Sequence, residues 1–199
     1  RRRHTRYGTV TGVQTCALPI LNKKCKNISV IFNPEFLTEA NFIDDFKNQN
    51  RIIIGGERPS TTKLRQVYSL LFPDATIVKT GSKTAEMVKY MTNTFLATKV
   101  SFANEMKMIC DELKIDYDKV VEYSTYDERL GKSHWAVPGP DGKMGFGGSC
   151  FPKDINALIA LSKDMRLYLH TLQSVWKTNL KVRPEKDWEE LKGRAVTDE

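Results

Sequence analysis

Arg51-Ile52-Ile53-Ile54-Gly55-Gly56, a helical pattern over residues 61–72, Pro73, and then Ala75-Thr76-Ile77-Val78 decide the fold class. Both apolar runs are short and rich in β-branched residues, and Gly and Pro flank them, which predicts buried strands. Between them Leu64, Val67, Tyr68 and Leu71 recur at helical spacing until Pro73 stops the pattern. Strand, helix and strand in that order predict a parallel α/β sheet. Ile28-Ser29-Val30-Ile31-Phe32 is a further expected strand upstream. Three strands are too few for a complete doubly wound sheet, so the expectation is the terminal part of one.

Downstream the period changes. Over residues 84–113, Val88, Met91, Phe95, Leu96, Phe102, Met106, Ile109 and Leu113 keep helical spacing. That predicts one helix of about 45 Å, long enough to bridge domains or pair with a partner. Residues 117–126 read as another helix. Residues 131–149 form a long loop carrying Pro138, Gly139, Pro140, Asp141 and Gly142, and long loops in compact domains often bind ligands. Helices are expected after Asp154 and over residues 167–180, then a loose charged tail with one helical turn near Trp188. The expected architecture is therefore α/β followed by all-α. Its parts are a foreign extension (1–20), the end of a Rossmann-type sheet (21–80), a helical central dimerisation domain (81–180) and the tail (181–199).

Residues 1–20 differ from the rest. Arg1, Arg2, Arg3 and Arg6 give this stretch four of the chain's seven net positive charges, and it holds no acid. No apolar h-region marks it as a targeting signal. Gly12 to Ile20 resembles translated adapter sequence and is given no function. The remaining excess of three positive charges suits an anionic small ligand and argues against nucleic acid as the partner. Cys16, Cys25, Cys110 and Cys150 form no CxxC pair and do not cluster with histidine, so neither a metal site nor a disulfide framework is expected. A reducing cytoplasm is the default compartment. No apolar run reaches membrane-spanning length.

Chemistry concentrates in Gly145-Phe146-Gly147-Gly148-Ser149-Cys150-Phe151-Pro152-Lys153-Asp154. The glycines let the backbone approach a ligand, and Pro152 fits a first helical turn. Cys150 then sits just ahead of a helix N-terminus, where free N–H groups favour a thiolate. A lone cysteine is also commonly a small buried hydrophobe, and these residues alone leave both readings open. Asp154 lies one turn on. Lys89 and Asn93 share a face of the long helix, either as a solvated pair or as donors to an oxyanion. Glu35 follows Asn33-Pro34 at a strand end, as a base or as a turn residue. His134 and Trp135 lie in the long loop, where they either stack on a flat ring or simply pack. No Ser/His/Asp set, HExxH, P-loop or GxGxxG is present.

Three segments together resemble the UDP-glucose/GDP-mannose dehydrogenase family. They are Asn33-Pro34-Glu35-Phe36-Leu37-Thr38-Glu39, then Glu86-Met87-Val88-Lys89-Tyr90-Met91-Thr92-Asn93, then Gly145 through Asp154, in that order. Phe151-Pro152-Lys153-Asp154 looks more like the UDP-glucose and GDP-mannose members than the UDP-N-acetylmannosamine ones. The resemblance implies four-electron oxidation of a sugar nucleotide's primary alcohol to the acid with two NAD. UDP-glucose is the first candidate, and GDP-mannose or a non-catalytic sugar-nucleotide-binding module is the alternative. It implies Cys150 as the nucleophile that forms a thiohemiacetal and then a thioester. Lys89 and Asn93 would stabilise the oxyanion, Asp154 would orient water or lysine, and Glu35 would assist acid–base steps.

The resemblance further implies substrate contacts from Phe36, Leu37, Arg129, His134, Trp135, Phe146, Gly147 and Gly148. Glu39 and Lys153 would touch the cofactor. A homodimer built on the long helix would carry Arg129 to the partner's substrate. The family's opening βαβ unit with GxGxxG, expected before residue 21, is missing, as is its C-terminal nucleotide-binding domain. The expectation is a truncated enzyme, inactive on its own.

Overall fold

The computed structural model describes residues 29–38 and 41–191. Residues 1–20, His4 and Glu39 therefore lie outside the described residues. The described chain divides into two compact units, with the division between Met91 and Thr92.

The first unit holds α1 (Phe42–Lys47), β1 (Arg51–Gly55), α2 (Ser60–Leu71), β2 (Thr76–Thr80) and the first turns of α3 (Ser82–Leu113). β1 and β2 pair in parallel, from Arg51 opposite Thr76 to Gly55 opposite Thr80, with α2 as the crossover. Ile52, Ile53 and Ile54 are all buried, the continuous run expected of a parallel strand covered on both faces. A Cβ on Gly55 would lie 2.5 Å from that of Ala85, so glycine here lets α3 pack against the end of the strand.

Within the described residues 29–32 no strand forms. Phe32 makes a single antiparallel bridge to Gly55 (2.8 and 2.7 Å). Pro34 follows two residues later and has no N–H to extend a ladder. The apolar side read from α2 is only partly covered by the described residues: Leu64 and Tyr68 are half-buried. Val67 is 52% and Leu71 64% exposed, and Thr61 is the buried residue of that helix.

The second unit holds the rest of α3, then α4 (Tyr117–Ser124), a 3-10 turn (Glu128–Leu130), α5 (Cys150–Asp164), α6 (His170–Val182) and a 3-10 turn (Asp187–Glu190). α3 has 32 residues and rises about 48 Å. Asp116 caps α4 by accepting from the amides of Asp118 and Lys119, which meets two of the helix's orphan donors. One core joins Ala97, Phe146, Ile155, Ile159 and Val175. A second joins Ala103, Cys110, Tyr117 and Val137. Burying Ile155 fully is worth about 1.5–3 kcal/mol.

Residues 183–191 are not a loose tail. Arg183 is 2% and Trp188 4% exposed, and the Trp188 ring lies 5.2 Å from that of Trp176. Two carboxylates draw the Arg183 charge inward, and the apolar face of Trp188 completes the packing.

Candidate active site

α5 begins at Cys150 itself rather than after it, with Ser149 at the N-cap. Ser149 makes no side-chain cap bond, and its Oγ lies 3.8 Å from Sγ of Cys150. The thiol is free and half-buried at the end of the helix where N–H groups lack partners. Cys110, by contrast, is buried in the second core and belongs to packing.

One turn along α5, Asp154 is 2% exposed. Nδ2 of Asn93, itself 5% exposed, donates to Asp154 Oδ2 at 2.5 Å. Lys153 Nζ pairs with the other carboxylate oxygen. The buried charge is therefore met on both oxygens, as a carboxylate away from water requires. Lys153, expected at the cofactor, is occupied by Asp154. The Asn93 amide carries a second N–H beyond the one given to Asp154, and Asp154 fixes its direction.

The glycine loop before Cys150 is held by side chains to which no site role was assigned from the sequence. Asn179 on α6 accepts from the Phe146 amide (2.8 Å) and donates to the Phe146 carbonyl (2.9 Å). Asn104 on α3 accepts from the Gly145 amide (3.1 Å). Arg183 donates to both oxygens of Asp187 (2.8 and 2.7 Å), to Asp141 Oδ2 (2.6 Å) and to the Met144 carbonyl (3.3 Å). A Cβ on Gly147 would sit 2.5 Å from Cζ of Arg183, so the loop lies directly on the guanidinium. Burial pushes the Asp141 carboxyl up, but Arg183 and the Lys143 amide bring it below its ordinary value. The Arg183 hydrogen bond also holds Asp187 low. The local signals for this clamp are weak: two asparagines within apolar helices, and one arginine in a charged segment.

Phe146, expected at the substrate, belongs to the core. Its ring is 4% exposed, and both of its backbone groups are taken by Asn179. Trp135 packs as well: its Nε1 donates to the Gly131 carbonyl (2.7 Å) and its ring meets Phe102 edge-on. His134 adopts φ 67°, with its ring 5.8 Å from Phe151 and its Nδ1 buried without a hydrogen-bond partner among the described residues. Burial, then the nearby Lys99, pushes its pKa down. Arg129 is open to solvent, with its side chain 89% exposed and turned back onto Asp127.

The remaining candidates lie in the first unit. Lys89 Nζ meets Glu35 at its carbonyl and at Oε1, the latter at 3.1 Å. Glu35 Oε2 accepts from the Leu37 amide (2.9 Å). The Phe36 ring carries the Arg51 guanidinium at 4.1 Å and the Lys89 ammonium at 5.5 Å. Asn33 anchors this turn by donating to the Ile53 carbonyl (2.8 Å) and accepting from Tyr68 (2.5 Å). Lys89, Glu35, Phe36 and Leu37 thus gather in one unit, and Asn93, Asp154, Lys153 and Cys150 in the other. Lys89 and Asn93 stand one turn apart on the same helix.

Among the described residues no group of His, Cys, Asp and Glu could hold a metal ion. No described helix is long and apolar enough to cross a membrane. A groove of about 370 Å³ against Ile159, Lys163 and Trp176 includes none of the residues named from the sequence.

Comparison with known proteins matches two family models. Residues 83–181 match the central domain of the UDP-glucose/GDP-mannose dehydrogenase family, and residues 7–72 match that family's NAD binding domain. The chain is 38% identical over 166 residues to the UDP-glucose 6-dehydrogenase of Rickettsia prowazekii, covering 82% of the chain and 37% of the relative. It is 36% identical over 157 residues to UDP-glucose 6-dehydrogenase TuaD of Bacillus subtilis, covering 79% of the chain and 33% of the relative. A solved UDP-glucose dehydrogenase from Pyrobaculum islandicum superposes with a TM-score of 0.73 at 33% identity, over 82% of the chain and 37% of that structure. A GDP-mannose dehydrogenase from Pseudomonas aeruginosa, solved as a ternary complex, gives 0.52 at 30% identity, over 85% of the chain and 39% of that structure. The chain thus spans about a third of the length of the curated relatives it matches.

Proposed function

The chain belongs to the UDP-glucose/GDP-mannose dehydrogenase family, and from that membership we propose that it serves NAD-dependent oxidation of UDP-glucose to UDP-glucuronate, with Cys150 as nucleophile. The carrying observation is the free thiol at the first residue of α5, one turn from the buried Asp154–Asn93 pair. The helix N-terminus favours an anion at sulfur. The thiolate adds to the carbonyl carbon of the C6 aldehyde. A carbon–sulfur bond forms and the carbonyl electron pair moves to oxygen. An N–H of Asn93, aimed by Asp154, donates to that oxygen, and Lys89 supplies a second donor. At the acyl level, water adds to the thioester carbon and the thiolate leaves, with Glu35 assisting proton transfer.

A nicotinamide cofactor supplies the hydride acceptor in such chemistry. Among the described residues no GxGxxG turn leads from a strand into a helix to hold its pyrophosphate: the β1–α2 turn carries Gly55-Gly56 and the β2–α3 turn Gly81 alone, so the described residues do not fit it. The roles given to this chain's side chains are therefore confined to bonds at carbon and sulfur and to the movement of protons. Glu39 and Lys153 remain proposed cofactor contacts. Phe36, Leu37, His134, Trp135, Gly147 and Gly148 remain proposed substrate contacts.

Association of two copies along α3 is part of the proposal. Phe95 (63% exposed), Phe102 (48%) and Ile109 (51%) recur every seven residues, extended by Met91 and Leu113. A stripe of that period suits a second helix. In such a dimer the exposed Arg129 would reach the partner's sugar nucleotide. Phe95→Glu with Ile109→Glu should convert a dimer to monomer in sedimentation.

The decisive test replaces Cys150 by Ser in a form that carries the family's complete NAD binding domain and follows UDP-glucuronate release. Loss of the acid is expected, and normal release refutes the assignment of Cys150. UDP-glucose and GDP-mannose assayed side by side decide the sugar nucleotide. A second reading is a sugar-nucleotide-binding module without catalysis. Calorimetry that detects UDP-glucose but not NAD would select it.

A further inference from the structure

Lys99 is a cation where the packing suits an apolar residue. It lies on α3 between Ala97 and Ala103, both fully buried, and is itself 9% exposed. Its Nζ donates to the carbonyls of Leu130 (3.0 Å) and Gly131 (3.4 Å) and stands 4.7 Å from the centre of the Trp135 ring. No carboxylate among the described residues lies within ion-pair distance of it. A buried cation without a counter-ion is costly, and desolvation holds this ammonium below the ordinary lysine range. Carbonyl dipoles and an aromatic face are what the fold supplies instead.

All of those groups belong to one turn. Gly131 has φ 61° and ψ 150°, a conformation nearly confined to glycine. Its carbonyl is shared between the ammonium and the Trp135 indole. Arg129 leaves this turn at one end and His134 at the other. His134 also feels the Lys99 charge directly.

We propose that Lys99 is a positioning residue: its buried ammonium gathers the Leu130 and Gly131 carbonyls and the Trp135 face, and so sets the directions in which Arg129 and His134 leave the turn. The proposal rests on the proposed contact of these two side chains with a sugar nucleotide. The ammonium does for this turn what a bound metal ion does for other carbonyl-rich loops. Its own stem, packed on α3, fixes where it stands.

The test compares Lys99→Met, which keeps the stem and deletes the charge, with Lys99→Arg, which keeps charge and donors, both in the full chain. The readouts are UDP-glucose affinity by calorimetry, the rate of tryptic cleavage at Arg129 and Lys132, and the NMR titration of His134. For Lys99→Met, affinity is expected to fall about tenfold and cleavage to quicken about tenfold, the size of one lost charge-assisted contact. His134 should titrate at higher pH once the neighbouring cation is gone. Lys99→Arg should return all three toward wild type. Alkylation of Cys150 by iodoacetamide should stay within about twofold, because Asn104, Asn179 and Arg183 hold that loop.

Unchanged cleavage and an unchanged His134 titration in Lys99→Met overturn the proposal, whatever the chain binds. A loss that Lys99→Arg does not restore also overturns it, since stem packing would then account for the effect. If Lys99→Met does not fold, Lys99→Gln, neutral but still a donor, is read in the same assays. Failure of the wild-type chain to bind UDP-glucose refutes the sugar-nucleotide reading instead, and the cleavage and titration results then decide on Lys99.

Discussion

Replacing Gly147 by alanine tests the clamp behind the cysteine loop. Its φ does not lie in the left-handed region, so alanine meets no backbone penalty there. The new methyl would instead sit 2.5 Å from Cζ and 2.7 Å from Nε of Arg183. A free arginine would swing aside at small cost. This one is 2% exposed and held by Asp141, Asp187 and the Met144 carbonyl, so it moves only by breaking those bonds. Losing one charge-assisted hydrogen bond costs about 1.5–3 kcal/mol, and overpacking alone about 1–3 kcal/mol. A destabilisation of about 3 kcal/mol is expected, which lowers Tm by roughly 6–12 °C for a chain of this size.

Urea and thermal unfolding measure this, and a double-mutant cycle assigns it. Arg183→Met destabilises on its own, but in its presence the methyl has no guanidinium to displace. The double variant should therefore be more stable than the sum of the single effects predicts, by at least about 1 kcal/mol. Strict additivity, or a Gly147→Ala variant as stable as wild type, would refute the resting of the loop on Arg183.

Three other outcomes follow from the same contacts. Asn93→Ala removes the donor to the buried Asp154 and should cost about 1–3 kcal/mol in urea unfolding. Asp187 and Asp141 have folded pKa values below their unfolded ones, so their contribution is complete above about pH 4 and is lost as pH falls through the folded values; Arg183→Met should flatten that acid limb of a stability–pH curve. Burial raises the Glu86 carboxyl, and its Oε2 has no hydrogen-bond partner among the described residues, so the charged form weighs against folding as pH rises through its folded value. Glu86→Gln should then raise Tm at pH 7 relative to wild type and leave it nearly unchanged at pH 4.

The two paired strands and the long helix are legible in the sequence because their signals are local. Ile52–Ile54 is β-branched in a row, and α3 keeps one period for 32 residues. The segment before Asn33 carries the same composition, yet its described residues form a single bridge at Phe32 and no strand, because a strand needs partners as well as propensity. Cys150 and Asp154 are legible as a pair because they are spaced by one helical turn; spacing joins Asn93 to Lys89 instead, and only the resemblance to the family places it with them. Arg183 is not legible, since its main partners are Asp187 nearby and Asp141 some forty residues away. The burial of Phe146 is not legible either: the resemblance to the family makes it a substrate contact, and only the packing shows it within the core. The apolar side of α2 is legible as a pattern but only in part as burial, since Leu64 and Tyr68 are half-buried while Val67 and Leu71 are exposed, because spacing says nothing about what lies opposite.

The way Asn179 holds Phe146 has a consequence for exchange with solvent. One side-chain amide takes both backbone groups of a loop residue, the same two-bond exchange that a neighbouring strand would make. The amides of Gly145 and Phe146 lie in irregular backbone but are shielded by side chains anchored on α3 and α6. In deuterium they should exchange at the pace of those helices rather than of a loop. A stretch without secondary structure would then register among the slow cores of its unit, and would open only when the helices around it do.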